Sequence, residues 1–313
     1  TNALTGAVAL NTSGSTGHAR IDNGTTALDV AASSVGGNLT LTSGNSITDS
    51  GTLTVGGNLA VTTDANNGLI NLGTLAVDGT VALTSNGTGN ATVVNDAGLN
   101  FAASTVGGAL NATATTGNIS DSGDLTITGA TTFITGASGS NIVLDSSGNA
   151  FSNAVTLQAD AGNEVFGNIT FVDSAAVNLN SSASADGDLY INASTDGAVG
   201  GNLNITATTG NITQGVALAI TGTSSFTTSA NDATIALDTT TNAFTGAVAL
   251  NTTGTTGNAT IDNGTTALNV AASSVGGNLT LTSGNASGIT DSGTVTVGGN
   301  LAATTDAANG VIN

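Results

Sequence analysis

Several short phrases in this chain carry residue types that could do chemistry. Asp-Ser-Gly stands at Asp49, Asp121 and Asp291, and the phrase "ADGDLY" sets Asp186 and Asp188 two residues apart. Carboxylates brought together from neighbouring turns of a chain are ligands for a hard divalent cation, and calcium asks for about six to eight oxygens. Paired carboxylates are also the acid and base of glycoside cleavage. Neither an EF-hand loop nor the glycine-rich calcium nonapeptide is present, so Asp49, Asp121, Asp186, Asp188 and Asp291 are weak calcium candidates only. Their other reading is conformational. Asp and Ser open turns, and the following glycine is expected to supply a left-handed residue.

The second phrase is Gly-Gly-Asn, as in "VGGNL" at Val35–Leu39, Val55–Leu59, Val199–Leu203 and Val297–Leu301. Glycine-rich loops cradle phosphate when they open a helix and carry a lysine. Here no lysine exists and no helical period follows, so Gly36-Gly37-Asn38 reads as a corner, with positive φ expected at its glycines.

The rest of the catalytic inventory is thin. His18, Arg20, Glu164 and Tyr190 are each the only residue of their kind. Lyase or hydrolase chemistry needs a cation for the developing negative charge and a base titrating near neutrality. His18 and Arg20 are replaced by Asn258 and Thr260 in a second copy of the same phrase. The expectation is a non-enzymatic protein without a cofactor. With formal charge -19 and one Lys or Arg, the chain has almost nothing with which to neutralise phosphates, so nucleic acid is not an expected partner. No apolar run approaches the roughly 20 residues that span a bilayer, so direct membrane insertion of this segment is not expected.

These residues must be held by something, and the sequence says what. Thr1–Asn45 returns as Thr241–Asn285 with six differences: Leu4/Phe244, Ser13/Thr253, Ser15/Thr255, His18/Asn258, Arg20/Thr260 and Asp29/Asn269. After a two-residue insertion the match runs on, so that 1–71 corresponds to 241–313. The chain is expected to be one continuous segment, 1–313, cut from a longer array.

A shorter repeat lies inside the long one. Apolar-x-apolar triplets recur at Leu39/Leu41, Leu53/Val55, Leu59/Val61, Leu75/Val77, Val81/Leu83 and onward to Leu279/Leu281. Period two places the outer pair on one face of a strand and the middle residue on the other. Equivalent triplets return after 20 to 22 residues (39 to 59, 53 to 75, 59 to 81). Short strands rich in Thr, Val and Ile, corners of Gly, Asn, Asp and Ser, and no helical period predict an all-β fold, a parallel β-helix or β-solenoid. Each coil of about 20–28 residues would hold three short strands. One coil cannot bury its narrow apolar face, but stacked coils make a continuous core. The absence of Pro agrees, because every internal strand must donate its N–H to a neighbour.

Coil length, the stretch "VGGNLTLTSGNSITDSGTLTVGGNLAVTT" at Val35–Thr63, and the Asn/Thr/Gly/Asp bias resemble the filamentous-haemagglutinin-like repeats of large secreted bacterial adhesins. The resemblance implies that the β-helix is right-handed, and that the chain belongs to a two-partner-secretion exoprotein or giant surface fibre protein, displayed extracellularly on the bacterial cell surface. It implies self-association end to end or laterally into fibres, with a host or cell-surface glycan as a candidate partner. An alternative reading is a carbohydrate- or ligand-binding solenoid module with its site near 151–190. Phe151, Phe166, Phe171 and Tyr190 concentrate there, and they would support that reading if they lined an exposed groove. Sequons such as Asn38, Asn86, Asn111, Asn168 and Asn204 are abundant, as an Asn/Thr-rich chain produces by chance.

Overall fold

The computed structural model describes residues 2–159, 167–180, 188–191, 198–199 and 201–313, the side chains of 180, 188–191 and 198–199 excepted. Among the described residues there is no helix. The chain divides into two units, Thr1–Val155 and Thr156–Asn313. Each is a parallel β-solenoid, and the two together hold about 12 turns with about three strands per coil.

In the first unit the expected triplets are strands. Leu39–Ser43, Ile47–Asp49 and Leu53–Val55 form one coil. Leu39 stacks on Leu59 and Leu59 on Val81, while Leu41 stacks on Val61 and Val61 on Leu83. All these side chains are buried. The residues between them, such as Thr40 and Thr42, stand on the outer face. Each coil therefore repeats the same apolar cross-section, and like packs on like along the stack. Phenylalanine fills the section where neighbours are small. Phe133 sits in register with Ala112 and meets Phe101 edge-on at 6.0 Å and Phe151 at 6.2 Å. Phe101 and Phe133 belong to different sheets, so this contact crosses the core.

A fifth strand position also points inward and is polar. Ser43, Thr63 and Ser85 are in register and buried. Their hydroxyls bond carbonyls of the adjoining corner: Ser43 Oγ to Thr26 O at 2.8 Å, Thr63 Oγ1 to Gly68 O at 3.2 Å, Ser85 Oγ to Gly89 O at 2.6 Å. The hydroxyl meets a carbonyl that the turn removes from the ladder, which is how a buried backbone group avoids an unmet bond.

The two sheets of a unit are not equivalent. In one, a coil contributes a single long strand; in the other, two short ones. In the first unit Ala19–Asp22, Leu39–Ser43, Leu59–Asn66 and Thr80–Asn86 stack as long strands, and the short pairs Leu28–Val30 with Ser33–Val35 and Ile47–Asp49 with Leu53–Val55 stack opposite. Ile70–Val77 runs over both members of the second pair. The assignment then reverses. Thr80–Asn86 is followed on its own sheet by the short pair Leu99–Phe101 and Ser104–Val106. The long strands Ala91–Asn95, Leu110–Ala114 and Thr131–Thr135 continue on the other sheet, above Ile70–Val77.

The second unit reverses in the same manner. Ile169–Asp173, Leu203–Ala207, Ser224–Asn231 and Val248–Thr253 are long strands of one sheet. Above Val248–Thr253 lie the short strands Leu268–Val270 and Ser273–Val275, while the long strands Ala259–Asp262, Leu279–Ser283 and Leu301–Thr305 rise on the other sheet.

Candidate functional site

The Gly-Gly-Asn corner is built between coils. Gly37 N–H donates to Gly17 O at 3.1 Å, Gly57 to Gly37 at 3.1 Å and Gly79 to Gly57 at 3.1 Å. The asparagine that follows adds a second bond per coil, since Asn38 Oδ1 accepts from Asn58 N–H and Asn58 Oδ1 from Thr80 N–H, both at 3.0 Å. His18 begins this ladder, its Nδ1 accepting from Asn38 N–H at 2.8 Å. In the second copy Asn258 Oδ1 takes the same bond from Asn278 N–H at 2.7 Å. The single histidine thus occupies a structural amide position.

The glycines here are needed for a different reason from the one the sequence suggests. Gly36 and Gly37 are not among the residues with positive φ. What excludes a side chain is the coil beneath: a Cβ on Gly37 would lie 2.9 Å from Ser15 O, and one on Gly57 2.8 Å from the carbonyl carbon of Gly37. The same correction applies to Asp-Ser-Gly. Gly51, Gly123 and Gly293 do not have positive φ, and their Cβ positions would meet the backbone N of Ala32 at 2.6 Å, Ala103 at 2.6 Å and Ala272 at 2.5 Å. Close backbone approach, and not left-handed geometry, selects these glycines.

The candidate carboxylates have partners in the next coil. Asp49 accepts from Gly73 N–H (2.9 Å), Thr74 N–H (2.8 Å) and Thr74 Oγ1 (2.7 Å). Asp121 accepts from Asp145 N–H (2.9 Å), Ser146 N–H (3.3 Å) and Asn149 Nδ2 (2.7 Å). Gln214, at the corresponding place in "NITQG", does the same work with Oε1 toward Thr239 N–H and Asn242 Nδ2. This is an inter-coil clamp, in which donors of the following coil end on a side chain of the one below. Asp49 and Asp121 lie on opposite sheets and are not brought together. Asp291 is solvent-exposed. Asp186 lies outside the described residues, as does the side chain of Asp188. Among the described residues no group of three or more His, Asp or Glu is placed to hold a metal ion.

The aromatic segment divides likewise. Phe151 and Phe171 are core residues, 4% and 1% exposed. Phe166 and the Tyr190 side chain lie outside the described residues. No aromatic groove exists among the described part of 151–190.

A cavity of about 460 Å³ is lined by Val270, Leu281, Ile289, Leu301, Ala303 and Ile312, among others. It is the open face of the last coil. Leu59 and Ile70, the first-copy equivalents of Leu301 and Ile312, are 1% exposed because Val81 and Ala91 stack on them. The cavity is therefore an unstacked cross-section and not a built pocket.

Three buried asparagines had no sequence signal of their own. Asn23, Asn95 and Asn263 are fully buried, and each amide docks on both backbone groups of one residue in the coil below. Asn95 Oδ1 accepts from Val77 N–H at 2.9 Å while Nδ2 donates to Val77 O at 3.1 Å. Asn23 does so with Leu4 at 2.8 and 2.9 Å, and Asn263 with Phe244 at 2.7 and 3.0 Å.

No curated protein and no solved structure is significantly similar to the chain. A family profile matches it four times, at residues 16–84, 88–158, 166–251 and 256–313, and so covers nearly its whole length. The chain belongs to the family described as repeats of unknown function (DUF5649).

Proposed function

We propose that this repeat array is a structural element, the stalk or fibre of an extracellular bacterial surface protein of the adhesin type, and not an enzyme. One observation carries the reading: the residues that could have formed a site are spent on stacking. Asp49, Asp121, Gln214, His18 and the Gly-Gly-Asn corners all bond one coil to the next. A chain that commits its polar side chains to axial cohesion is built for length and durability. Its net charge of -19 keeps neighbouring surfaces apart by mutual repulsion. With Arg20 as its sole Lys or Arg, it offers trypsin-like proteases one cleavage position. Both properties suit an exposed filament. Self-association end to end is the partner relation this reading favours, because an unstacked coil presents unpaired strand groups and apolar surface.

Electron microscopy and fibre diffraction of the native material test the proposal. Filaments with an axial reflection near 4.8 Å, labelled at the cell surface by antibody, are the expected result. Discrete intracellular particles would overturn it.

A further inference from the structure

Two boundaries of the family repeat, and the start of its first match, fall where long and short strands exchange sheets; the boundary 158/166 runs into residues outside the described ones. The boundary 84/88 falls at the end of Thr80–Asn86, ahead of Ala91–Asn95, and 251/256 at the end of Val248–Thr253, ahead of Ala259–Asp262. The first match begins at residue 16, between the stretch that pairs Val8 with Val30 and Asn11 with Ser34 and the strand Ala19–Asp22. At each of these three places two long strands follow one another on opposite sides of the core. Elsewhere in the first unit a long strand alternates with a short pair, save that Ile70–Val77 covers both short positions as one strand.

We infer that the family repeat is a half-turn unit: it contains a whole number of ordinary coils plus one half-coil, so that consecutive repeats present equivalent residues on opposite faces of the solenoid. The first unit shows the consequence directly. Thr42 and Thr113 hold the same place in "GGNLTLT" and "GGALNAT", as do Asp49 and Asp121 in their Asp-Ser-Gly phrases. In each pair one residue lies on the sheet of Leu39–Ser43 and the other on the opposite sheet. A feature of the outer surface therefore changes side from the first repeat to the second.

The exchange leaves a specific problem. Of the five buried asparagines among the described residues, three, Asn23, Asn95 and Asn263, solve it by meeting both backbone groups of one residue. Where a long strand passes over the two short positions of the coil below, it cannot follow both and the bend between them. In the first unit the register slips between Val93 and Asn95 for this reason. Val77, at the end of the lower coil, would then keep an unmet N–H and C=O inside the core. An asparagine side chain sets an N–H donor beside a C=O acceptor as a peptide group does, and Asn95 offers both to Val77 while its second N–H donates to Gly98 O. Asn23 and Asn263 stand at the same step after their own exchanges. These asparagines are the positioning residues of the half-turn. The inference concerns the coil path alone and holds whether or not the array serves as a surface fibre.

Disulfide trapping tests it cleanly, since the chain has no cysteine. Thr84 and Thr105 are register partners on one sheet. In-register neighbours about 4.8 Å apart fall within disulfide reach. Thr84→Cys with Thr105→Cys should cross-link on mild oxidation, whereas Thr84→Cys with Val94→Cys should not. If the long strands simply continued on one sheet, Val94 would lie beside Thr84 and the outcomes would be reversed. Thr62→Cys with Thr84→Cys, register partners before the exchange, is the folding control. Linkage of 84 to 94, or linkage of 62 to 84 without 84 to 105, overturns the half-turn. Loss of all three linkages overturns the described registers and the inference with them. Asn95→Leu should accelerate amide exchange at Val77 at least tenfold while sparing Val61, and equal protection in the two proteins would remove Asn95 from the role.

Discussion

Replacing Gly57 by alanine will pry one coil from the next, and the structure sets the size of the effect. An alanine Cβ at this position would collide with Asn38 Oδ1, which can swing aside only by giving up its bond from Asn58 N–H. It would also lie 2.8 Å from the carbonyl carbon of Gly37 and 2.9 Å from its oxygen, which cannot swing aside. Comfortable carbon contacts are about 3.5–4.0 Å, so the corner must open by roughly 0.7 Å. The bond from Gly57 N–H to Gly37 O starts at 3.1 Å, and that displacement carries it past the distance at which a hydrogen bond persists. Losing the bond costs about 1 kcal/mol, and strain from overpacking a close contact adds about 1–3 kcal/mol. Alanine also stiffens the unfolded chain, which returns about 0.4–1 kcal/mol. The net is a destabilisation of about 1–3 kcal/mol, concentrated in the coils that meet at this corner.

Gly73→Ala is the matched control. Nothing lies within 4 Å of its Cβ position and its φ is not positive. The same backbone stiffening should then stabilise by about 0.4–1 kcal/mol. Because a solenoid opens locally, the assay is native-state hydrogen exchange resolved by peptide, with denaturant titration as a second measure. Protection should fall across Leu53–Val61 in Gly57→Ala and hold or rise in Gly73→Ala. Two alanine variants with the same stability would refute the claim that close backbone approach, and not conformation, reserves the Gly-Gly-Asn glycines.

Other outcomes follow from the same contacts. Phe133→Ala removes a buried ring that touches both Phe101 and Phe151, and should cost about 3–5 kcal/mol in denaturant unfolding. Asp49→Ala deletes the acceptor for three donors of the next coil and, in this solvent-accessible clamp, should cost about 1–2 kcal/mol, with faster exchange at Gly73 and Thr74. Since that carboxylate is already engaged, adding calcium or a chelator should leave the thermal midpoint unchanged, and a chelator-dependent drop would reinstate a metal role. His18→Asn should be neutral in melting, because asparagine makes the same bond at position 258, whereas His18→Ala should raise amide exchange at Asn38.

The pattern of strands was open to reading from residues alone. Leu39/Leu41, Ile47 and Leu53/Val55 are one coil in the structure, as their spacing predicts, because in-and-out alternation is local and needs no knowledge of the neighbour. The stacking of Leu39 under Leu59 and Leu59 under Val81 was legible for a related reason, since equal residues at equal steps repeat the same cross-section. The Asp-Ser-Gly and Gly-Gly-Asn phrases were visible as corners, but their physical role was not. Whether a glycine is chosen for its φ or for the space above Ala32 or Gly37 depends on a contact some 20 residues away. The same holds for Asp49, whose donors arrive with Gly73 and Thr74.

Composition and period thus determined that this chain coils, which residues face inward and where the corners fall, all consequences of alternation along a single strand. Only the tertiary structure decided which side of the core each long strand occupies. A triplet such as Leu-Thr-Leu packs equally well on either sheet, and the contact that accompanies the exchange at Thr80–Asn95, Asn95 on Val77, joins residues 18 apart in the chain.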